Sequence, residues 1–242
     1  MTIGIITAMK IEFDELKAEL SHQTNIDSPF FEAIEGRLGN SSIVLVQAGV
    51  GKVCTTMATQ WLIDKFAPSL LVNVGLAGSL SGAAPVGSIV LGSKFVQHDF
   101  MPAPWLGRPQ GEIPFMGERS YPLSDGQANN TVLAIIHDKF QAIKIQLGTI
   151  LSGDEPIFSK ERKDALLNEF AKFTPLAVDM ESATFAFTSS ENKLPFIVIR
   201  AIADRASKND EPSEPGANAR QNGTAALAAQ VTAEYIRSIP MA

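Results

Sequence analysis

One cysteine, Cys54, and three scattered histidines are all the thiol and imidazole this 242-residue chain contains. A lone cysteine closes no intramolecular disulfide, which excludes the small, secreted, disulfide-stapled class. Three dispersed histidines leave little for a zinc site, and no metal is expected. Long apolar runs are also missing. The nearest candidate, Leu70 to Leu80, is interrupted by Asn73 and falls well short of a membrane span. No basic segment precedes the first apolar run, and acids interrupt it from Glu12 onward, so no secretory signal is expected. Positive charge is scarce: 20 Lys and Arg against 26 Asp and Glu give −6, a poor basis for tracking nucleic acid. These deficits predict a cytoplasmic protein that handles small molecules, with neither nucleic-acid nor membrane partners.

What is present alternates between two periods. Ile3–Thr7 reads as a buried strand, and Lys10–Leu20 as a helix with Phe13, Leu16 and Leu20 on one face. Phe31–Arg37 and Ser42–Gln47 read as an antiparallel pair turned at Gly39-Asn40. Further strands are expected at Leu70–Val74, Gly87–Val96, Lys144–Leu151, Leu176–Val178 and Phe196–Ile202. Helices are expected at Lys52–Phe66, Asn130–Phe140, Lys160–Phe170, Met180–Ser190 and Ala217–Arg237. Residues 99–127 and 205–216 are loop-like. No break is deep enough for a linker, so residues 1–242 are expected to form one α/β domain with helices on both faces of a mixed sheet. In such sheets ligands sit beyond strand ends, which is where chemistry is to be sought.

Gly49-Val50-Gly51-Lys52 joins a strand to a helix. Cys54 stands where a dinucleotide fingerprint needs its third glycine, Val46 replaces the first glycine of a P-loop, and Val53 follows the lysine. The segment reads either as a tight turn or as the edge of a small-anion or substrate site. Glu12, Asp179 with Glu181, and Arg200 with Asp204 each follow a strand. Taken singly, each acid has a structural reading as a helix cap. Taken together, they place acids and one arginine at the strand ends of one sheet, which capping does not explain. His98-Asp99 reads as a packed or loop-anchoring histidine, or as a general-base pair, though no nucleophile elbow accompanies it. Cys54 reads as a core residue, and Lys139, Lys144 and Lys160–Lys163 as a solvated face.

The same residues carry a family resemblance. Gly4–Glu12, Gln47–Val53, Asn73–Gly78, Ser152–Asp154, Val178–Ser182 and Val198–Asp204 resemble, in order and spacing, the motifs of the purine nucleoside phosphorylase/uridine phosphorylase superfamily. Within it the chain is most similar to the 5′-methylthioadenosine/S-adenosylhomocysteine nucleosidases. The resemblance implies a single-domain, three-layer α/β/α fold with a central twisted mixed β-sheet. It also implies a homodimer, no cofactor, and cleavage of the N-glycosidic bond between adenine and a ribose. By that resemblance Glu12 activates the attacking water and Asp204 protonates or hydrogen-bonds adenine N7. Met180 and Glu181 hold the ribose hydroxyls, and Arg200 orders water and carboxylates. Met9, Ala77 and Gly78 line the substrate, and the main chain at Ile157 meets the adenine edge. Trp105 and Pro114 reach across the dimer to the 5′ substituent. Leu76, Ala203 and the 207–216 segment depart from the family pattern, which leaves the 5′ group open to a futalosine-type nucleoside. Phosphorylases of the superfamily place an arginine after the first strand. Here residues 4–12 offer only Lys10 beside Glu12, so hydrolysis is expected ahead of phosphorolysis, and ahead of non-catalytic nucleoside binding.

Overall fold

The computed structural model describes residues 1–113, 121–124, 126–207 and 217–240. Strand β1 (Thr2–Thr7) shows how the layers arise. The two-residue side-chain period sends Ile3 and Ile5 to one face and Ile6 to the other, and all three are fully buried. It lies between β4 (Ser41–Gln47) and β5 (Leu70–Ser79), parallel to both. Strand β3 (Glu32–Leu38) runs antiparallel to β4 through the expected Gly39-Asn40 turn, where Gly39 takes a φ of +57°.

Outside β3 lies β2 (Ser21–Asn25), an edge strand the sequence reading lacked. Its five residues, Ser-His-Gln-Thr-Asn, are all exposed, so no apolar alternation marks it. Polarity of this kind also protects a sheet edge from pairing with another chain.

The other half of the sheet closes on itself. Strand β5 pairs in parallel with β9 (Phe196–Asp204) and antiparallel with β8 (Ala177–Asp179). Strand β8 joins β7 (Ile145–Ser152), β7 joins β6 (Ile89–Gln97), and β6 returns to β9. The described strands thus form one mixed sheet with a ring at one end.

Helices cover both faces. On the Ile3 and Ile5 side lie α1 (Lys10–Glu19), α3 (Gly126–Lys139) and α6 (Ala217–Ser238), through Phe13, Leu16, Val132, Ile136, Val231 and Tyr235. On the other side lie α2 (Lys52–Phe66) and α5 (Ser182–Glu191), through Ala58, Leu62, Phe185 and Ala186. Helix α4 (Lys160–Glu169) closes a third cluster with Val96, Leu151, Leu166 and Phe170. Each large aliphatic or aromatic side chain so buried contributes about 1.5–3 kcal/mol. This is the expected three-layer, single-domain α/β/α architecture. Among the described residues no helix is long and apolar enough to cross a membrane.

Two departures from the expected elements fall at the site. Strand β5 continues past Val74 to Ser79, because β9 and β8 supply ladder partners that its small residues do not advertise. Helix α5 starts at Ser182, two residues later than expected. The Asp179 carboxylate accepts from the N–H groups of Glu181 (3.3 Å) and Ser182 (3.2 Å), holding this stretch out of the helix. Cys54, expected in the core, sits only half-buried in the first turn of α2.

Candidate active site

Beyond the ends of β1, β5, β8 and β9 lies a cleft of about 410 Å³. Met9, Leu76, Ala77, Gly78, Ile157, Met180 and Asp204 all line it, so the fold gathers these expected site residues around one cavity. Below its surface sit Glu12, Glu181 and Arg200, all buried.

Glu12 occupies the first turn of α1 and serves as its cap. One carboxylate oxygen accepts from Ala8 N (3.0 Å) and Met9 N (2.9 Å). The other reaches across to β5 and accepts from Leu76 N at 2.8 Å. Capping and site placement are therefore two ends of one carboxylate. Burial raises its pKa, against the opposing pull of the Met9 N–H, the Arg200 charge and the Leu76 and Ala8 N–H groups. Gly75 is what lets Glu12 and Arg200 meet over β5. A Cβ there would stand 2.7 Å from Arg200 Nη1 and 2.8 Å from Glu12 Oε1.

Arg200 is the largest fully buried side chain among the described residues, only 1% exposed. Its Nε donates to Asp179 Oδ2 at 2.5 Å, its Nη2 donates to Asn73 Oδ1, and Glu181 Oε2 lies 3.9 Å from Nη2. Burial disfavours the guanidinium charge, but Asp179, Glu181 and Glu12 more than offset that, so it stays cationic. Asp179 in turn accepts from the Ser152 hydroxyl at 2.5 Å and from the Ser182 hydroxyl. Asn73 anchors the far side by donating to Ile6 O at 3.0 Å. The roles of Asn73 and Ser152 were invisible in sequence because they depend on which strands are neighbours.

Three carboxylates thus face one buried cation. Glu181 carries the consequence: burial and the neighbouring Asp179 push its pKa from the ordinary 4.5 up to about 7, against Arg200 and the Gly51 N–H. A carboxyl whose pKa is higher in the folded chain favours its protonated form there. The contribution of Glu181 to stability is therefore full below pH 4.5, is lost between pH 4.5 and about 7, and changes no further above that. At about 1.4 kcal/mol per pKa unit, the loss amounts to about 3 kcal/mol. Glu181→Gln is expected to raise thermal stability at pH 8 more than at pH 5, which calorimetry at the two pH values checks. A difference independent of pH would contradict it.

The Gly49–Lys52 turn resolves as a holder of carboxylates. Gly51 N donates to Glu181 Oε1 at 2.9 Å, and Lys52 N donates to Asp154 Oδ1 at 2.8 Å. The Lys52 ammonium donates to Asp99 Oδ2 at 2.6 Å. The donors that a phosphate cradle would offer already face the protein's own acids. Gly51, with a φ of +97°, also passes so close to Asp154 that a Cβ would lie 2.9 Å from Oδ1.

Asp204 ends β9 at the other side of the cleft. Its Oδ1 accepts from Ala206 N at 2.7 Å and packs against Gly78, where a Cβ would stand 2.8 Å away. The register between β5 and β9 slips here: Ala77 pairs with Ile202 but Gly78 pairs with Asp204. This bulge at Ala203 re-aims the chain and with it the Asp204 side chain. Gly75 touches Glu12 and Gly78 touches Asp204, three residues apart on one strand. At the strand rise this is about 10 Å along β5.

Other expectations divide. His98 is fully buried against Gly153, with neither ring nitrogen hydrogen-bonded, and burial lowers its pKa. It is a packed histidine, and Asp99 is engaged by Lys52 and by Asp154 N. Trp105 stands in the short 3₁₀ turn Pro104–Leu106, 85% exposed and outside the cleft of its own chain. Pro114 lies outside the described residues. The solvated-face reading of Lys160–Lys163 holds for Lys160, which pairs with Asp164, but not for its neighbours. Arg162 grips Glu155 at the cleft rim, and Lys163 reaches inward to two carbonyls. Gln221, projecting from α6 into the cleft wall, gave no sequence signal. Among the described residues no group of three or more His, Cys, Asp or Glu is placed to hold a metal ion.

A closed mixed sheet with Asp204 lining a cleft and Glu12, Glu181 and Arg200 buried beneath it marks a class of protein, and the chain belongs to the phosphorylase superfamily, whose sequence profile matches residues 2–237. Within it the chain falls in the family of the 5′-methylthioadenosine/S-adenosylhomocysteine nucleosidases. It is 35% identical to that of Staphylococcus haemolyticus over 207 residues, covering 84% of this chain and 86% of the relative. The crystal structure of the Neisseria meningitidis nucleosidase in complex with methylthio-immucillin-A is similar with a TM-score of 0.90 and 29% identity, covering 98% of this chain and 99% of that one. Futalosine hydrolase of Helicobacter pylori is similar with a TM-score of 0.88 and 26% identity, covering 99% and 98%.

Proposed function

We propose that this protein is a hydrolase that cleaves the N-glycosidic bond of 5′-methylthioadenosine, S-adenosylhomocysteine or a related 5′-substituted adenosine, releasing adenine. The observation that carries this reading is the pair of carboxylates, Glu12 and Asp204, held against Gly75 and Gly78 of a single strand. Breaking a glycosidic C–N bond builds positive charge on the sugar and negative charge on the leaving base. Carboxylates beneath the ribose stabilise the first, and an acid at the base neutralises the second.

In this reading Glu12 takes a proton from water as it attacks the sugar carbon, and its three N–H partners hold it in place. Arg200 sets the cluster's geometry and favours the ionised Glu12. Glu181 and Met180 receive the ribose, and the Ile157 main chain meets the base. Asp204 delivers its proton to N7 as the base departs. Residues 1–242 would form a single such domain.

Hydrolysis is favoured over phosphorolysis because Glu12, Asp179 and Glu181 repel phosphate, while the nearby N–H donors of Gly51 and Lys52 already face carboxylates. A homodimer in the cytoplasm is the corresponding assembly and location. The dimer's support is exposed apolar surface: Met101, Trp105 and Leu106 on one segment, Val50 at the cleft, and Val53 and Met57 on α2.

The test is product analysis. Methylthioadenosine, S-adenosylhomocysteine, adenosine and a futalosine-type nucleoside are each incubated with the protein, with and without phosphate. Free adenine is expected from the 5′-thio-substituted adenosines, at the same rate in both buffers. Dependence on phosphate with a ribose 1-phosphate product would make it a phosphorylase. Turnover of the futalosine-type compound alone would reassign the 5′ group, and binding without turnover would remove the enzyme reading.

A further inference from the structure

The acid at the base side of the cleft is held by a peptide group, and that peptide group is itself held. Ala206 N donates to Asp204 Oδ1 at 2.7 Å. The carbonyl of the same peptide unit belongs to Arg205, and it accepts from Lys163 Nζ at 2.8 Å. In a trans peptide the N–H and C=O point in opposite directions, so gripping the oxygen fixes where the N–H points. Lys163 Nζ also donates to Ser79 O at 2.6 Å. Ser79 follows Gly78, the residue against which the Asp204 carboxylate packs. One ammonium from α4 therefore ties the end of β5 to the turn just past β9, on either side of the bulge that aims Asp204.

We infer that Lys163 is a positioning residue for Asp204, acting through the Arg205–Ala206 peptide. The turn needs such a hold. Ala206 has a φ of +50°, a left-handed conformation that a non-glycine residue adopts only where its surroundings enforce it. Released, this peptide can rotate and turn its carbonyl oxygen toward the carboxylate. Asp204 would then lose its N–H partner and face a repelling dipole. A cation on the carbonyl opposes that rotation, and by polarising the peptide it strengthens the N–H bond to Asp204. The assignment rests on the proposed role of Asp204 as the acid.

The experiment compares Lys163→Met and Lys163→Gln with Lys163→Arg, which keeps a cation able to donate to two carbonyls. Adenine release from methylthioadenosine is followed in each. Both truncations are expected to lower kcat about 10- to 100-fold, the scale of a misplaced catalytic group, while KM and melting temperature change little. Lys163→Arg is expected to restore most of kcat. In an Asp204→Asn background, Lys163→Met is expected to cost nothing further, because the group it positions is already disabled. Unchanged kcat in either folded truncation, or an undiminished loss in the Asp204→Asn background, would overturn the assignment while leaving the hydrolase reading intact. A wild-type protein that releases no adenine would instead remove the hydrolase reading, and this assignment with it.

Discussion

Glu12→Gln is expected to remove most turnover: kcat for adenine release should fall about 10²- to 10⁴-fold, the usual contribution of a positioned acid–base group. The amide is nearly the same size as the carboxylate but takes no proton from water. Its effect on the fold is smaller and calculable. Glu12 accepts from three backbone N–H groups, two on one oxygen and one on the other. The glutamine oxygen serves Ala8 and Met9 best, which turns its NH₂ toward the Leu76 N–H. One buried donor is then unsatisfied, costing about 1–3 kcal/mol. A large loss of kcat with a modest drop in melting temperature is thus the expected signature. A matching pH dependence is expected of the wild-type protein. Burial raises the Glu12 pKa, so activity that needs the ionised form should decline at a pH above the ordinary carboxylate range. Turnover in Glu12→Gln within tenfold of wild type would exclude Glu12 as the base.

Asp204→Asn is the second large effect and differs in character. The asparagine oxygen still accepts from Ala206 N, and its NH₂ can still donate to a purine nitrogen. Binding should therefore persist with a near-normal KM. What is lost is a proton that can be given away when the base leaves. The expected result is again a kcat loss of about 10²- to 10⁴-fold, now with stability close to wild type. Steady-state kinetics with a thermal melt of the same preparation checks both halves. Retained activity would show that the base leaves without help from this residue. The Glu12 and Asp204 variants are told apart by their melts, because only the first leaves a buried N–H, that of Leu76, without its acceptor.

How much of this was legible before the structure depends on the range of the interaction. Helix α2 coincides with its expected bounds, and β1, β4 and α4 lie within a residue or two of theirs, because apolar period is a local property. Strand β2 was not legible, since an exposed polar edge has no pattern to read. The start of α5 was misplaced because the Asp179 cap works two and three residues ahead and looks, in sequence, like an early helix turn. Glu12 offered a choice between cap and site that the sequence kept open. The structure shows one side chain capping α1 and also reaching Leu76 N on β5, which only the approach of β5 makes possible. Lys163 looked like one of two solvated lysines on α4. Its direction toward Ser79 and Arg205 depends on where two strand ends stop.

What the sequence by itself determined is the set of elements, the acids and arginine that close their strands, and the scarcity of thiol, imidazole and positive charge that excludes other chemistries. Those follow from composition and from periodicities of a few residues. What only the tertiary structure decided is which of these groups confront one another. Residues 12, 75, 179, 181 and 200 meet because the sheet closes into a ring, and the Ala203 bulge turns Asp204 beside Gly78. Perturbed pKa values, a buried guanidinium held among acids, and a lysine gripping a peptide oxygen all come from those meetings. Desolvation and Coulomb energies depend on distances in space, to which separation along the chain is no guide.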